Sequence, residues 1–152
     1  MENTQDVAFN IFLKNFKKQV SKIGLKNSIQ KDYILKVLYF SKKHLTAEEI
    51  SNEIKNIYNV SIGIATVYRA MKFFHDMKLV NQLDIGDGIL RYELNLSEHH
   101  DHLICTNCGK IIEFSDDFIE LNQIKIATKN NFILKEHVMT IYGVCETCQN
   151  KK

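Results

Sequence analysis

Residues 64–94, IATVYRAMKFFHDMKLVNQLDIGDGILRYEL, decide the fold, because within them the apolar period changes from that of a helix to that of a strand. Val67, Met71 and Phe74 recur at i, i+4 and i+7, which predicts a helix over 64–77 with one buried stripe. From Leu79 onward the pattern predicts strands over 80–84 and 89–94. The Gly86-Asp87-Gly88 between them is a hairpin signal, since glycine accepts positive φ without a steric penalty.

Working back towards the N-terminus, three more helices are expected. Residues 7–23 carry Val7, Ile11, Phe12, Phe16, Val20 and Ile23 on one stripe and Lys14, Lys17, Lys18 and Lys22 off it, with Gly24 as a stop. A second helix starts after Ser28 as N-cap, runs to about Lys42 and buries Ile34, Leu35 and Leu38. Thr46-Ala47-Glu48-Glu49 is a capping box opening a third helix that ends near Tyr58, and residues 61–63 turn the chain into the helix at 64. Helices followed by a hairpin in this order describe a winged helix-turn-helix over residues 1–94, with an extra N-terminal helix at about 7–23.

In such a fold the last helix lies in the major groove, so the residues near its N-terminus must be compact, polar and outward-facing. Thr66 and Arg69, three apart, meet that need opposite the buried stripe. Arg69 can present two donors to a guanine edge or grip phosphate, and Tyr68 can stack on a thymine methyl or bond a phosphate. An ordinary surface helix with a solvated arginine reads equally well from these residues alone, and the hairpin tips the balance.

The rest of the chain changes character. After a hinge at 95–98, residues 99–152 predict an α/β domain with strands at 103–105 and 110–114, a helix at 116–130 and a strand over 132–144. All four cysteines lie here in two Cys-x-x-Cys pairs, Cys105/Cys108 and Cys145/Cys148, the first preceded by His99-His100-Asp101-His102. Two such pairs make a closed four-thiolate shell suited to Zn2+. The neighbouring imidazoles and carboxylates suit a harder, exchangeable metal, and strand alternation would put His100 and His102 on one face and His99 and Asp101 on the other.

Composition agrees with an ordered protein carrying a metal. The chain has 152 residues, 45% of them hydrophobic, with nine Phe and six Tyr. No apolar run approaches the roughly 20 residues of a membrane span and no secretory signal opens the chain, so a cytoplasmic protein is expected, whose paired cysteines point to metal or redox chemistry before disulfides. Residues 1–84 hold 13 Lys/Arg against 8 Asp/Glu and the remainder 7 against 10, a basic half beside an acidic, His-rich one. That asymmetry suits a polyanion-binding module joined to a cation-binding one.

The two motifs together, residues 63–69 (Gly-Ile-Ala-Thr-Val-Tyr-Arg) and residues 99–114 (His-His-Asp-His-Leu-Ile-Cys-Thr-Asn-Cys-Gly-Lys-Ile-Ile-Glu-Phe), resemble the ferric uptake regulator family, whose order residues 24–148 follow throughout. The resemblance implies a dimeric (or tetrameric), metal-dependent bacterial repressor, not an enzyme, that binds AT-rich palindromic operator DNA through an N-terminal winged helix and pairs through a C-terminal α/β domain. It implies structural Zn2+ on Cys105, Cys108, Cys145 and Cys148. A regulatory Fe2+, for which Mn2+ or Zn2+ could substitute, would take His44, Glu93, His100, His102 and Glu113, and its occupancy would orient the two domains. A further site would use His99, Asp101, Glu120 and His137. The DNA contacts implied are Tyr68, Arg69 and Lys26, to which the helical pattern adds Thr66.

One departure concerns DNA contact: where the family usually opens its second helix with Thr-x-Gln-Arg, this chain has Ser28-Ile29-Gln30-Lys31, which replaces a bidentate fork by a point charge. The N-terminal segment is also longer than in shorter relatives. Competing readings are a peroxide sensor of the family, disfavoured by Glu where such relatives place Asp, and a zinc-uptake regulator, disfavoured because no cysteine is spare. From other classes, a zinc deaminase would need a Pro-Cys-x-x-Cys that a chain without proline lacks, whereas a dithiol redox protein is separated only by its zinc content.

Overall fold

The computed structural model describes residues 4–41, 43–96 and 99–151. The chain divides into two compact units, Met1–Leu96 and Ser97–Lys152, each described by itself. Ser97 and Glu98 of the expected hinge, and Lys42 at the expected end of the second helix, lie outside the described residues.

The first unit begins with α1 (Thr4–Lys22), α2 (Ile29–Phe40), β1 (Leu45–Thr46) and α3 (Ala47–Tyr58). It continues with α4 (Ile64–Asp76), β2 (Val80–Asp84) and β3 (Leu90–Leu94). α1 buries Phe9, Phe16 and Val20, while Val7, Ile11 and Ile23 of the expected stripe face out. Phe16 and Val20 of that stripe are buried and Phe12 packs against the core, and Phe9, outside it, joins them with its ring centre 5.1 Å from that of Tyr39 and 5.6 Å from that of Phe40. The helix stops where Gly24 takes φ +74 and the Leu25 amide reaches back to the Val20 carbonyl at 3.1 Å.

α2 is capped by Ser28, whose hydroxyl accepts from the Lys31 amide, and α3 by the full capping box. In that box Thr46 Oγ1 accepts from the Glu49 amide at 3.2 Å and Glu49 Oε2 from the Thr46 amide at 2.8 Å. The core is the shared apolar face of the helices and wing: Ile34, Leu35, Ile50, Ile54, Val67, Met71 and Phe74 are fully buried, joined by Val80 and Tyr92 from the strands. β1, β3 and β2 form a three-stranded sheet in that order, antiparallel throughout. The two-residue β1 was not expected, because a strand that short has no period to read.

The second unit orders its strands β5-β4-β6, with β4 (Asp101–Cys105), β5 (Ile111–Phe114) and β6 (Thr140–Gly143). β4 pairs antiparallel with β5 and parallel with β6. α5 (Asp117–Lys129), capped by the Asp116 carboxylate, connects β5 to the stretch before β6, and a short α6 (Glu146–Gln149) follows β6. The strand expected over 132–144 is therefore confined to its last third. Its ladder partner is β4, whose pairing with β6 starts at His102↔Thr140, so residues further back have no strand to bond to. α5 buries none of its residues, and Phe118, Leu121, Ile124, Ile126, Phe132 and Val138 leave a broad apolar surface on this unit. Among the described residues no helix is long and apolar enough to cross a membrane.

Candidate functional site

The four thiols converge within the second unit. Cys105 ends β4, Cys145 is the N-cap of α6, and the two Cys-x-x-Cys segments repeat one turn, in which the first cysteine's carbonyl accepts from the amide four residues on: Gly109 at 2.9 Å and Gln149 at 3.0 Å. Gly109 closes the first turn at φ +69, a conformation that disfavours other residues. All four cysteines are free thiols, and their Sγ atoms lie within 4.8 Å of one another, Cys108 and Cys145 at 3.7 Å. Tetrahedral Zn–S bonds of about 2.3 Å require sulfurs roughly 3.8 Å apart, so the shell fits that ion.

The protons of this cluster are unevenly held. The Cys145 amide donates to Cys105 Sγ at 3.3 Å and draws that thiol down to about 6. Cys148, donating to the sulfurs of Cys108 and Cys145 and beside the Cys105 charge, is pushed up to about 12. Four sulfurs so close cannot all ionise unless a cation neutralises them, which is the chemistry of a structural zinc site.

A second group in the same unit mixes nitrogen and oxygen. His99 Nε2 lies 3.4 Å from Asp101 Oδ1 and 3.6 Å from Glu120 Oε1. His137 Nε2 lies 3.7 Å and 3.4 Å from the same two atoms, closing a ring of alternating imidazole and carboxylate. Asp101 is 1% exposed, and neither of its oxygens, nor Glu120 Oε1, nor His137 Nε2, has a hydrogen-bond partner. Buried polar atoms are seldom left so. Zinc–oxygen and zinc–nitrogen bonds of about 2.0–2.1 Å put neighbouring ligands roughly 3.3 Å apart, close to the four edges observed. His137 reaches this group from the non-strand segment before β6, not from the strand expected for it.

The remaining predicted ligands form pairs in each unit. In the first, β1 pairs with β3 through Leu45↔Tyr92, which sets His44 beside Glu93, Nε2 to Oε2 3.4 Å, with both side chains largely buried. Asn81 Nδ2 holds the other Glu93 oxygen at 3.2 Å. In the second, the His100 and His102 rings meet at 5.1 Å and 78°, and Glu113 stands directly across the ladder from His102. Asn81 was missed by sequence reading, because a supporting amide across a hairpin carries no motif.

On α4, Val67, Met71 and Phe74 are buried while Tyr68 is 41% exposed and Arg69 is exposed. Thr66 is half-buried and its Oγ1 accepts from Arg69 Nη2 at 3.1 Å. Lys26 is exposed in the loop between α1 and α2. At the hairpin tip Arg91 clasps Asp87 through Nη2–Oδ2 at 2.7 Å and Nη1–Oδ1 at 3.1 Å, holding the aspartate down to about 2 and raising the arginine. That clasp, too, was not foreseen.

Comparisons with known proteins converge on one group. Residues 22–142 match the Ferric uptake regulator family. The chain is 42% identical over 149 residues to the ferric uptake regulation protein of Campylobacter jejuni, covering 97% of this chain and 95% of that one. It is 37% identical over 140 residues to the protein of the same description from Helicobacter pylori, covering 92% and 93%. Among solved structures, the Helicobacter pylori ferric uptake regulator, described as having three functional metal binding sites, superposes with a TM-score of 0.86 at 36% identity over 95% of each chain. The Pseudomonas aeruginosa ferric uptake regulator with manganese gives 0.75 at 30% identity, covering 86% of this chain and 97% of that one.

Proposed function

Because the chain belongs to the ferric uptake regulator family, we propose that it is an Fe2+-dependent repressor of iron-uptake genes, binding palindromic AT-rich operators as a homodimer. The observation that carries this reading is the sorting of its donors: one group is all thiolate, and the others are imidazole and carboxylate. Thiolates retain Zn2+ in a closed shell and act as a folding staple, whereas an N/O set takes Fe2+ or Mn2+ in an open coordination that lets the ion leave. A chain with both has one permanent metal and at least one that can report concentration.

In this reading Cys105, Cys108, Cys145 and Cys148 hold zinc. The regulatory ion would draw on His44 and Glu93 together with His100, His102 and Glu113, so its occupancy would restrict the winged helix and favour the arrangement that meets two half-sites. His99, Asp101, Glu120 and His137 form the additional site. Residues 1–94 are the DNA-binding domain, 95–98 the hinge and 99–152 the metal-binding dimerisation domain. A second copy would cover the exposed apolar residues of α5 and the segment after it, among them Phe118, Leu121, Ile124, Ile126 and Phe132. Output rests on Thr66, Tyr68 and Arg69, with Lys26 beside them.

The test is anaerobic titration of one operator duplex, recovered from a random pool by the protein itself, with Fe2+, Mn2+, Zn2+ and chelator in turn. Binding is expected with Fe2+ and lost with chelator, and His102→Ala should abolish the response to Fe2+. Binding indifferent to both chelator and His102→Ala would sink the proposal. Zinc analysis of the purified chain should find about one tightly held ion per subunit, surviving mild chelation, as a closed thiolate shell predicts; its absence would favour a dithiol redox protein.

A further inference from the structure

Lys31 departs from the arginine expected at its position, and its surroundings show what the lysine does instead. It is the third residue of α2, where the helix dipole disfavours a cation, so helix stability does not account for it. Its ammonium sits 3.8 Å from the centre of the Phe73 ring and donates to the Lys26 carbonyl oxygen at 3.3 Å. Phe73 follows Thr66 and Arg69 at i+7 and i+4, on the same stripe of α4 that carries those two residues. One cation therefore joins the loop that bears Lys26 to the helix face that bears Arg69.

The same loop is fastened from its other side. Asn27 Nδ2 donates to Asp32 Oδ1 at 2.6 Å, and Lys17 of α1 meets Asp32 Oδ2 at 2.6 Å, so the aspartate ties loop, α1 and α2 together. With Ser28 capping α2, residues 26–28 each have a bond that restrains them, while the Lys26 side chain stays exposed. A lysine on a free loop must be ordered when it binds a phosphate; one on a restrained loop has met that cost in folding.

We propose that Lys31 is a positioning residue for DNA binding: through Phe73 and the Lys26 carbonyl it holds Lys26 at a set distance from Arg69, so that both engage one duplex together. The proposal rests on the DNA-binding reading given above. A long cationic side chain suits this double role, since its charged end can lie on a ring face and still point a proton at a carbonyl.

Anisotropy titrations of the Fe2+-loaded full chain on the selected palindrome decide it, using Lys26→Ala, Lys31→Met, their double variant, Lys31→Arg and Phe73→Leu. Lys31→Met should weaken binding by about tenfold, within the range of couplings between residues in contact. The double variant should bind no worse than Lys26→Ala alone. Lys31→Arg, which keeps a cation for the ring and a donor for the carbonyl, should recover most of the loss. Phe73→Leu, which removes the ring face but keeps an apolar side chain, should reproduce Lys31→Met. Additive losses in the double variant would make Lys31 a separate phosphate contact and overturn the proposal alone. No loss in Lys26→Ala would overturn both it and the assignment of Lys26 to DNA.

Discussion

Arg69 donates from Nη2 to the hydroxyl of Thr66 at 3.1 Å, so the arginine assigned to the reading face of α4 is oriented by its own helix before any DNA arrives. An arginine restrained in this way loses less side-chain entropy when it docks on a base edge. Arg69→Ala should lower specific binding by about 1–3 kcal/mol, the worth of a good base contact, with a smaller effect on a scrambled duplex. Thr66→Val should cost less, since it frees the guanidinium without removing it. Anisotropy on the two duplexes measures both, and equal weakening on each would reassign Arg69 to phosphate.

The capping box that opens α3 is a test of the scaffold. Thr46 also supplies half of β1, so its loss touches both the helix terminus and the strand beside His44. Thr46→Ala should destabilise the first unit by about 1 kcal/mol. Urea unfolding followed by circular dichroism would measure it, and a change below a few tenths would mean that the reciprocal bonds carry little energy.

Asp101 is a carboxylate held out of water with two imidazoles and a second carboxylate around it. A divalent ion would satisfy all four groups at once, so Zn2+ added to chelator-treated protein should raise the melting temperature, by mass action on the folded state. In Asp101→Asn that increment should shrink or vanish while the four-cysteine zinc is kept. An unchanged metal response in the variant would remove the group from the list of metal sites.

The Asp87 clasp has a defined pH signature. Its folded pKa of about 2 lies below the ordinary 3.8, so the stabilisation is complete above the unfolded value and fades as pH falls from about 4 through 2. Carboxyl NMR should place the Asp87 midpoint near 2, and Arg91→Ala should return it to the ordinary range. A midpoint near 4 in the unaltered chain would mean that the clasp does not persist in solution.

Local signals were legible wherever one short window contained the whole cause. Ser28 and the Thr46/Glu49 box mark helix starts because the capping atoms are within three residues of the amides they satisfy, and the Val67, Met71, Phe74 stripe needs only the helical period. Phe16 and Val20 of α1's buried face follow from the helical period, whereas Phe9 does not, because its burial depends on the rings of Tyr39 and Phe40 on α2. The strand over 132–144 was overread for a similar reason: alternation proposes a strand, but a ladder exists only where β4 offers a partner.

By itself, then, the sequence determined the element order around α4 and its wing, the two thiolate turns, and through its two motifs the family and the residue types available for each metal. Periodicity and spacing alone could not place Glu120 and His137 beside Asp101 or set His44 against Glu93 through a two-residue strand, groupings that only the family resemblance implied, and nothing in the sequence laid the Lys31 ammonium on the Phe73 ring. Those juxtapositions were decided by tertiary structure alone, because each joins side chains from elements far apart in the chain, and the register and packing that bring them within 4 Å are settled by the whole core together.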